Sequence, residues 1–244
     1  MTESHAHLDF IAPELLRPEE WDRQWLQDFR QWYGPLYFYH YSEIRLVADI
    51  RGRTPAEVYA LQLCSDQLPL WIWVPGDELV GRNVLEIGCG PGLLGKQLGL
   101  IVRKYLGIDQ SPLAVRIARG VSPPNCTYLS LEEADLIACH AGQYDVMVGR
   151  FFFIHQNEAN AAWVLRLARL LLADGGRVWA DFYASPDPDY RPRCVDRAAD
   201  RHVTSGYAYS REDVRRLAEA TGFEVERIDD REDILRRFAA LRRC

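Results

Sequence analysis

From Asn83 onward, short apolar runs alternate with segments whose apolar residues recur at helical spacing. The runs at 84–87, 105–108, 126–129, 144–148 and 176–182 are predicted strands. Helices are predicted between and after them at 92–99, 112–119, 157–172 and 211–221. Ser111–Pro112 marks one helix start by a serine cap and a first-turn proline, and Ser210 followed by Asp213 marks another. Strands separated by helices imply a parallel sheet covered on both faces. Phe223–Glu226 reads as a later, more exposed strand, while Arg236–Arg243 fits either a terminal edge strand or a short helix.

The first eighty residues follow another pattern. Trp21, Trp25, Phe29 and Trp32 recur at intervals of four and three, which places them on one helical face. Thr54–Pro55–Ala56–Glu57 carries a capping box and predicts a second helix to about Cys64. Leu70–Val74 is a short apolar segment closed by Pro75–Gly76 and a candidate pocket wall. The expected division is a helical, aromatic cap region at 1–80 packed on a core domain at 81–244. A long insertion at 183–209, rich in proline, leaves the ligand-binding edge of such a sheet.

Composition narrows the class. Hydrophobic residues make up 48% and charged residues 26%, ordinary for a globular chain, and a formal charge of -6 argues against a nucleic-acid partner. The six cysteines show no metal-ligand spacing and no disulfide-scaffold density, and no compact Asp/His cluster stands out, so no metal is expected. The start of the chain has no signal-peptide pattern, and no run reaches the roughly 18 apolar residues of a membrane span. A cytoplasmic location is expected.

Val84–Gly92 carries the candidate chemistry: an apolar strand with Glu86 inside it, then Gly88–Cys89–Gly90–Pro91–Gly92 opening a helix. Such a turn lets backbone approach a nucleotide-like ligand. The next strand ends in Asp109, a carboxylate able to accept both hydroxyls of a ribose. A carboxylate within an apolar strand needs hydrogen-bond donors or a polar ligand, which makes Glu86 notable. Gly90, Gly92 and Gly95 also satisfy G-x-G-x-x-G, so the pattern by itself leaves a dinucleotide open, although Pro91 removes one backbone donor from a pyrophosphate cradle.

Glu86-Ile87-Gly88-Cys89-Gly90-Pro91-Gly92 resembles motif I of the class I S-adenosylmethionine-dependent methyltransferases. Gly107–Pro112, Tyr144–Val148 and Leu171–Val178 resemble that family's ribose-binding strand end, fourth strand and entry to the fifth, so the likeness covers about 80 to 230. The resemblance implies an α/β fold, a doubly wound and mostly parallel seven-stranded sheet with helices on both faces, here with an N-terminal helical extension. It implies S-adenosylmethionine as cofactor. Glu86 would lie near the methionine portion, Gly88, Cys89, Gly90 and Gly92 beneath the cofactor, and Asp109 with Gln110 at the ribose. The chain departs from the family after its third strand, where Ser130–Leu131–Glu132–Glu133 stands in place of the usual acidic and small residues. Ser130 would meet the adenine amino group and Leu131 would cover the ring, with either glutamate as a substitute if the loop shifts.

The resemblance places the methyl acceptor near the end of strand four, where Arg150–Gln156 begins. His155 is the candidate general base or orienting group, and a loop-stabilising backbone bond is the competing reading. Arg150 suits an anionic substituent or the cofactor; Tyr37, His40, Tyr41, Tyr183 and Tyr190 are candidate substrate contacts. The expected activity is methyl transfer to a small or medium organic acceptor. The alternatives are a protein or RNA methyltransferase, or a non-catalytic cofactor-binding protein. An exposed part of the 21–38 aromatic face offers a surface for a homodimer.

Overall fold

The computed structural model describes residues 17–28, 73–184, 193–194, 206–232 and 235–244. The described residues fall into two compact units, Arg17–Ile137 and Ala138–Cys244.

The first unit holds helix α1 (Pro18–Asp28), strand β1 (Asn83–Ile87), helix α2 (Leu93–Leu98), β2 (Lys104–Asp109), α3 (Pro112–Val121), β3 (Cys126–Ser130) and α4 (Ala134–Ala138). The strands run parallel in the order β3-β2-β1, with Ile87 opposite Ile108 and Asp109 opposite Ser130. Their buried faces are near-continuous, as parallel strands covered on both sides require. Ser111 caps α3 as its sequence predicts, its hydroxyl accepting from the Ala114 N–H at 3.0 Å, with Pro112 at the first turn. Helix α4 was not expected from the sequence. Of the α1 aromatic face, Trp21 and Trp25 are described, with ring centroids 6.2 Å apart; Phe29 and Trp32 lie outside the described residues, as does the helix expected from Thr54.

The second unit holds β4 (Tyr144–Gly149), α5 (Glu158–Leu171), β5 (Leu172–Ala184), β6 (Arg193–Cys194), β7 (Tyr207–Tyr209), α6 (Arg211–Ala220), β8 (Phe223–Arg231) and β9 (Arg236–Arg243). Strands β4 and β5 are parallel, β9 runs antiparallel to β5, and β8 pairs antiparallel with β9. The short β6 and β7 form an antiparallel pair within the 183–209 insertion, and β7 joins the end of β5 at Tyr183 and Ala184. The fold is thus the expected mostly parallel α/β type. Among the described residues the sheet has nine strands, of which the seven longer ones are β1–β5, β8 and β9.

Strand β8 continues five residues past its expected end, to Arg231, β5 starts early, and the choice left open at 236–243 is resolved. Strand β5 begins at Leu172, four residues early, because a bulge between Tyr144 and Val146 and a left-handed Gly175 (φ 72) let the chain pair before the apolar run starts. Arg236–Arg243 is a strand, buried at its first six positions without alternation, so periodicity had no means to separate strand from helix there.

Candidate functional site

In the first unit, the glycine turn hangs on β2. The N–H groups of Gly88 and Cys89 both donate to the Ile108 carbonyl, at 2.7 and 3.2 Å, and Gly88, Gly90 and Gly92 all have positive φ. Gly90 is required twice over: its φ is +51, and a Cβ there would come within 2.6 Å of the Trp25 indole on α1. The Gly90 N–H donates to Asp109 Oδ2 and the Ser111 N–H to Oδ1, both at 2.8 Å. Burial pushes the Asp109 carboxyl up to about 6, against the pull of these backbone donors. A carboxylate has about four acceptor positions, so Asp109 keeps capacity for a diol beyond these N–H groups. The turn and the strand end therefore fit a ribose-bearing cofactor.

Helix α1 is bound to the same place. Asp22 accepts from the Ser111 hydroxyl and, at 3.3 Å, from the Leu113 N–H, so it adds a carboxylate to the N-terminus of α3. The Arg17 N–H donates to Gln110 Oε1 at 2.7 Å. Buried Glu86 accepts from the Tyr105 phenol, whose ionisation burial and the Glu86 charge push well up. The Cys89 thiol is buried and likewise pushed up by burial and by Asp109 and Glu86, so it is an inert packing group.

At the end of β3, Ser130 donates to Glu133 from its N–H at 2.8 Å and its hydroxyl at 3.3 Å. Glu133 also takes two contacts from Arg119, which reaches the Tyr128 carbonyl as well. Burial pushes Glu133 up, but the Ser130 N–H and Arg119 outweigh it and hold the carboxyl below its usual range. Glu133 is thus committed to closing this loop. The Leu131 N–H donates to the Asp109 carbonyl at 3.1 Å, which brings Leu131 beside the end of β2.

In the second unit, the chain after β4 turns sharply at Phe151, which is left-handed (φ 54) although not glycine. Its N–H donates to Asp181 Oδ1 at 2.8 Å. Asp181 is fully buried, and burial pushes its carboxyl up to about 6 despite the charges of Arg236 and Arg150. Phe152, Phe153, Phe182 and Tyr209 form a chain of ring contacts with centroids 5.0 to 5.4 Å apart. Tyr209 donates to the Gln156 carbonyl at 2.6 Å and so pins the far end of the turn. His155 is half-buried in a 3-10 turn, its N–H bonded to the Phe152 carbonyl at 3.0 Å.

Glu86, Gly88, Cys89, Gly90, Gly92, Asp109, Gln110, Ser130 and Leu131 all belong to the first unit, and Arg150, His155 and Tyr183 to the second. Tyr37, His40, Tyr41 and Tyr190 lie outside the described residues. Sequence reasoning missed Asp22, Tyr105, Asp181 and Arg236 as partners of these groups. An acid inside the apolar run 178–182, like Glu86 inside β1, is the signal that could have pointed to Asp181. Among the described residues no cluster of metal-binding side chains occurs, and no helix is long and apolar enough to cross a membrane.

Residues 62–228 match the family described as "Methyltransferase domain". A ubiquinone biosynthesis O-methyltransferase of Bordetella avium (strain 197N) is 31% identical over 112 residues, covering 45% of this chain and 46% of that protein. The enzyme of the same name from Acinetobacter baumannii (strain AYE) is 32% identical over 113 residues, 45% and 47% of the two chains. The matched stretch spans about half the length of these curated relatives. Among solved structures, a 1,6-didemethyltoxoflavin-N1-methyltransferase of Burkholderia thailandensis is similar with TM-score 0.55 and 14% identity, over 93% of this chain and 90% of that one. A magnesium protoporphyrin IX methyltransferase of Synechocystis PCC 6803 has TM-score 0.51 and 19% identity, over 91% and 100%. Both likenesses are likenesses of fold.

Proposed function

Because the chain belongs to the class I S-adenosylmethionine-dependent methyltransferase family, we propose that it transfers the methyl group to a small or medium organic acceptor. The observation that carries this reading is Asp109, buried at a strand end with one oxygen turned to the glycine turn and acceptor capacity to spare. The name of the curated relatives, an O-methyltransferase of ubiquinone biosynthesis, supports an organic rather than a macromolecular acceptor.

S-adenosylmethionine supplies a methyl group already activated on its sulfonium, so the protein's work is alignment and exclusion of water. In this reading Asp109 accepts the ribose hydroxyls, with Gln110 beside it. Gly88, Cys89, Gly90 and Gly92 give the tail a floor without side chains in the way, and Glu86 serves the methionine end. Ser130 and Leu131 meet the adenine edge and face. His155 holds or takes the acceptor's proton, and Arg150 and Tyr183 bind the acceptor, as do Tyr37, His40, Tyr41 and Tyr190. The cap region at 1–80 encloses the acceptor, the chain acts in the cytoplasm, and the 21–38 aromatic face pairs two copies.

Calorimetric titration tests the cofactor assignment directly. S-adenosylhomocysteine should bind saturably to the wild-type chain and NAD should not. Binding of NAD alone would overturn the reading. Replacement of His155 by alanine should lower turnover with little change in cofactor affinity; unchanged turnover would remove His155 from catalysis.

A further inference from the structure

Arg236 is a buried arginine with an incomplete set of partners. It is 8% exposed, yet its Nη1 makes no hydrogen bond. That atom stands 3.4 Å from Asp181 Oδ2, an ionic contact without hydrogen-bond geometry, and the Asp181 oxygen also lacks a hydrogen bond. Burying a guanidinium normally demands that its in-plane donors be used. Here the flat faces are used instead: the guanidinium carbon lies 4.3 Å from the Tyr183 ring centroid and 5.1 Å from that of Phe151. Nη1, one prong of the planar fork that matches a carboxylate, is left without a hydrogen bond.

Its place in the fold favours a ligand. Arg236 opens β9 opposite Tyr183, one residue from the end of β5. Ligands of open α/β sheets bind outside the carboxyl ends of the parallel strands. Phe151, just beyond the end of β4, holds a left-handed conformation that bulky residues avoid, and Asp181 fixes it by accepting the Phe151 N–H. Such backbone strain persists where the surroundings over-determine it, and it gathers at ligand clamps. The same ring lies under a second guanidinium, that of Arg150, at 5.7 Å.

We propose that Arg236 selects the methyl acceptor by its charge, taking a carboxylate or ionised hydroxyl carried on a planar ring. Tyr183 and Phe151 form the wall behind the guanidinium, and Asp181 is a positioning residue that holds both Arg236 and the Phe151 turn. This deepens the methyltransferase reading and rests on it.

The test compares benzoate with benzamide, its neutral isostere, each titrated into full-length protein saturated with S-adenosylhomocysteine. A charge-assisted bidentate contact predicts that benzoate binds roughly tenfold or more tighter than benzamide. Arg236→Gln should abolish that preference and leave S-adenosylhomocysteine affinity unchanged, whereas Arg236→Lys, which keeps the charge but loses the fork, should retain part of it. If Arg236→Gln does not fold, as judged by thermal melting, Arg236→Lys decides: a full wild-type preference there overturns the proposal. Absent or equal binding of the two probes by the wild type, or a preference that survives Arg236→Gln, overturns it too. Failure of the wild type to bind S-adenosylhomocysteine would strike the methyltransferase reading instead, so the two failures are distinguishable.

Discussion

Asp109, at the end of β2, and Asp181, within β5, are both buried carboxyls that burial pushes up to about 6, yet they are satisfied by different means. Asp109 in the first unit receives backbone N–H groups, from Gly90 and Ser111. Asp181 in the second receives one backbone N–H, from Phe151, and faces the guanidinium of Arg236. Backbone donors come with the path of the chain and survive changes of side chain. A guanidinium brought in from another strand does not.

Removing each acid separates the two most strongly. Asp181→Ala leaves Arg236 as a buried unpaired charge and should cost about 3–5 kcal/mol of stability in chemical denaturation, with S-adenosylhomocysteine affinity little changed. Asp109→Ala should do the reverse: roughly a hundredfold loss of S-adenosylhomocysteine affinity by calorimetry, with a smaller stability effect. If Asp109→Ala binds normally, the distinction fails at its centre.

Gly90→Ala asks how closely the backbone arrangement is fitted. A Cβ at φ +51 against the Trp25 indole should destabilise by about 2 kcal/mol. Adding Trp25→Ala to that variant should recover less than the single changes lose, because the strained φ remains.

Titration sharpens the comparison further. Both carboxyls have folded values raised to about 6, above the ordinary value of 3.8, so each favours the fold most when protonated. Their contribution to stability is complete below that ordinary value and is lost as pH rises through about 6. Stability from these two groups therefore does not fall on acidification from neutrality. Cofactor affinity should fall, by about tenfold per pH unit below about 6, because the ribose needs the ionised Asp109. Calorimetry at pH 7, 6 and 5 checks this, and Asp109→Asn should flatten the profile. The smallest effect is expected at Arg177, which pairs with Glu226 at 2.8 Å on a half-exposed surface. Arg177→Ala should change stability by less than about 1 kcal/mol.

The same difference explains what the sequence disclosed. The glycine turn, Asp109 and the Ser111 cap lie within a short stretch whose local geometry each residue announces, so the cofactor side was legible. The cluster in the second unit draws Phe151, Asp181, Tyr183 and Arg236 from the turn after β4, from β5 and from β9, and no spacing rule joins them. Arg236 was legible only as one of a pair of arginines at a terminal segment, since a strand buried at six successive positions shows no alternation. Trp25 was legible as part of an aromatic helical face, but its seat on Gly90 was not.

Strand β8 carries Glu224, Glu226, Arg227, Asp229, Asp230 and Arg231, many tied into ion pairs with Arg177, Arg211, Arg237 and Arg242, and among the described residues it hydrogen-bonds to β9. Such a row of charges makes it costly for a second chain to add itself there. Apolar replacements along this strand should therefore raise the tendency of a second copy to add itself there, which light scattering at increasing concentration would register.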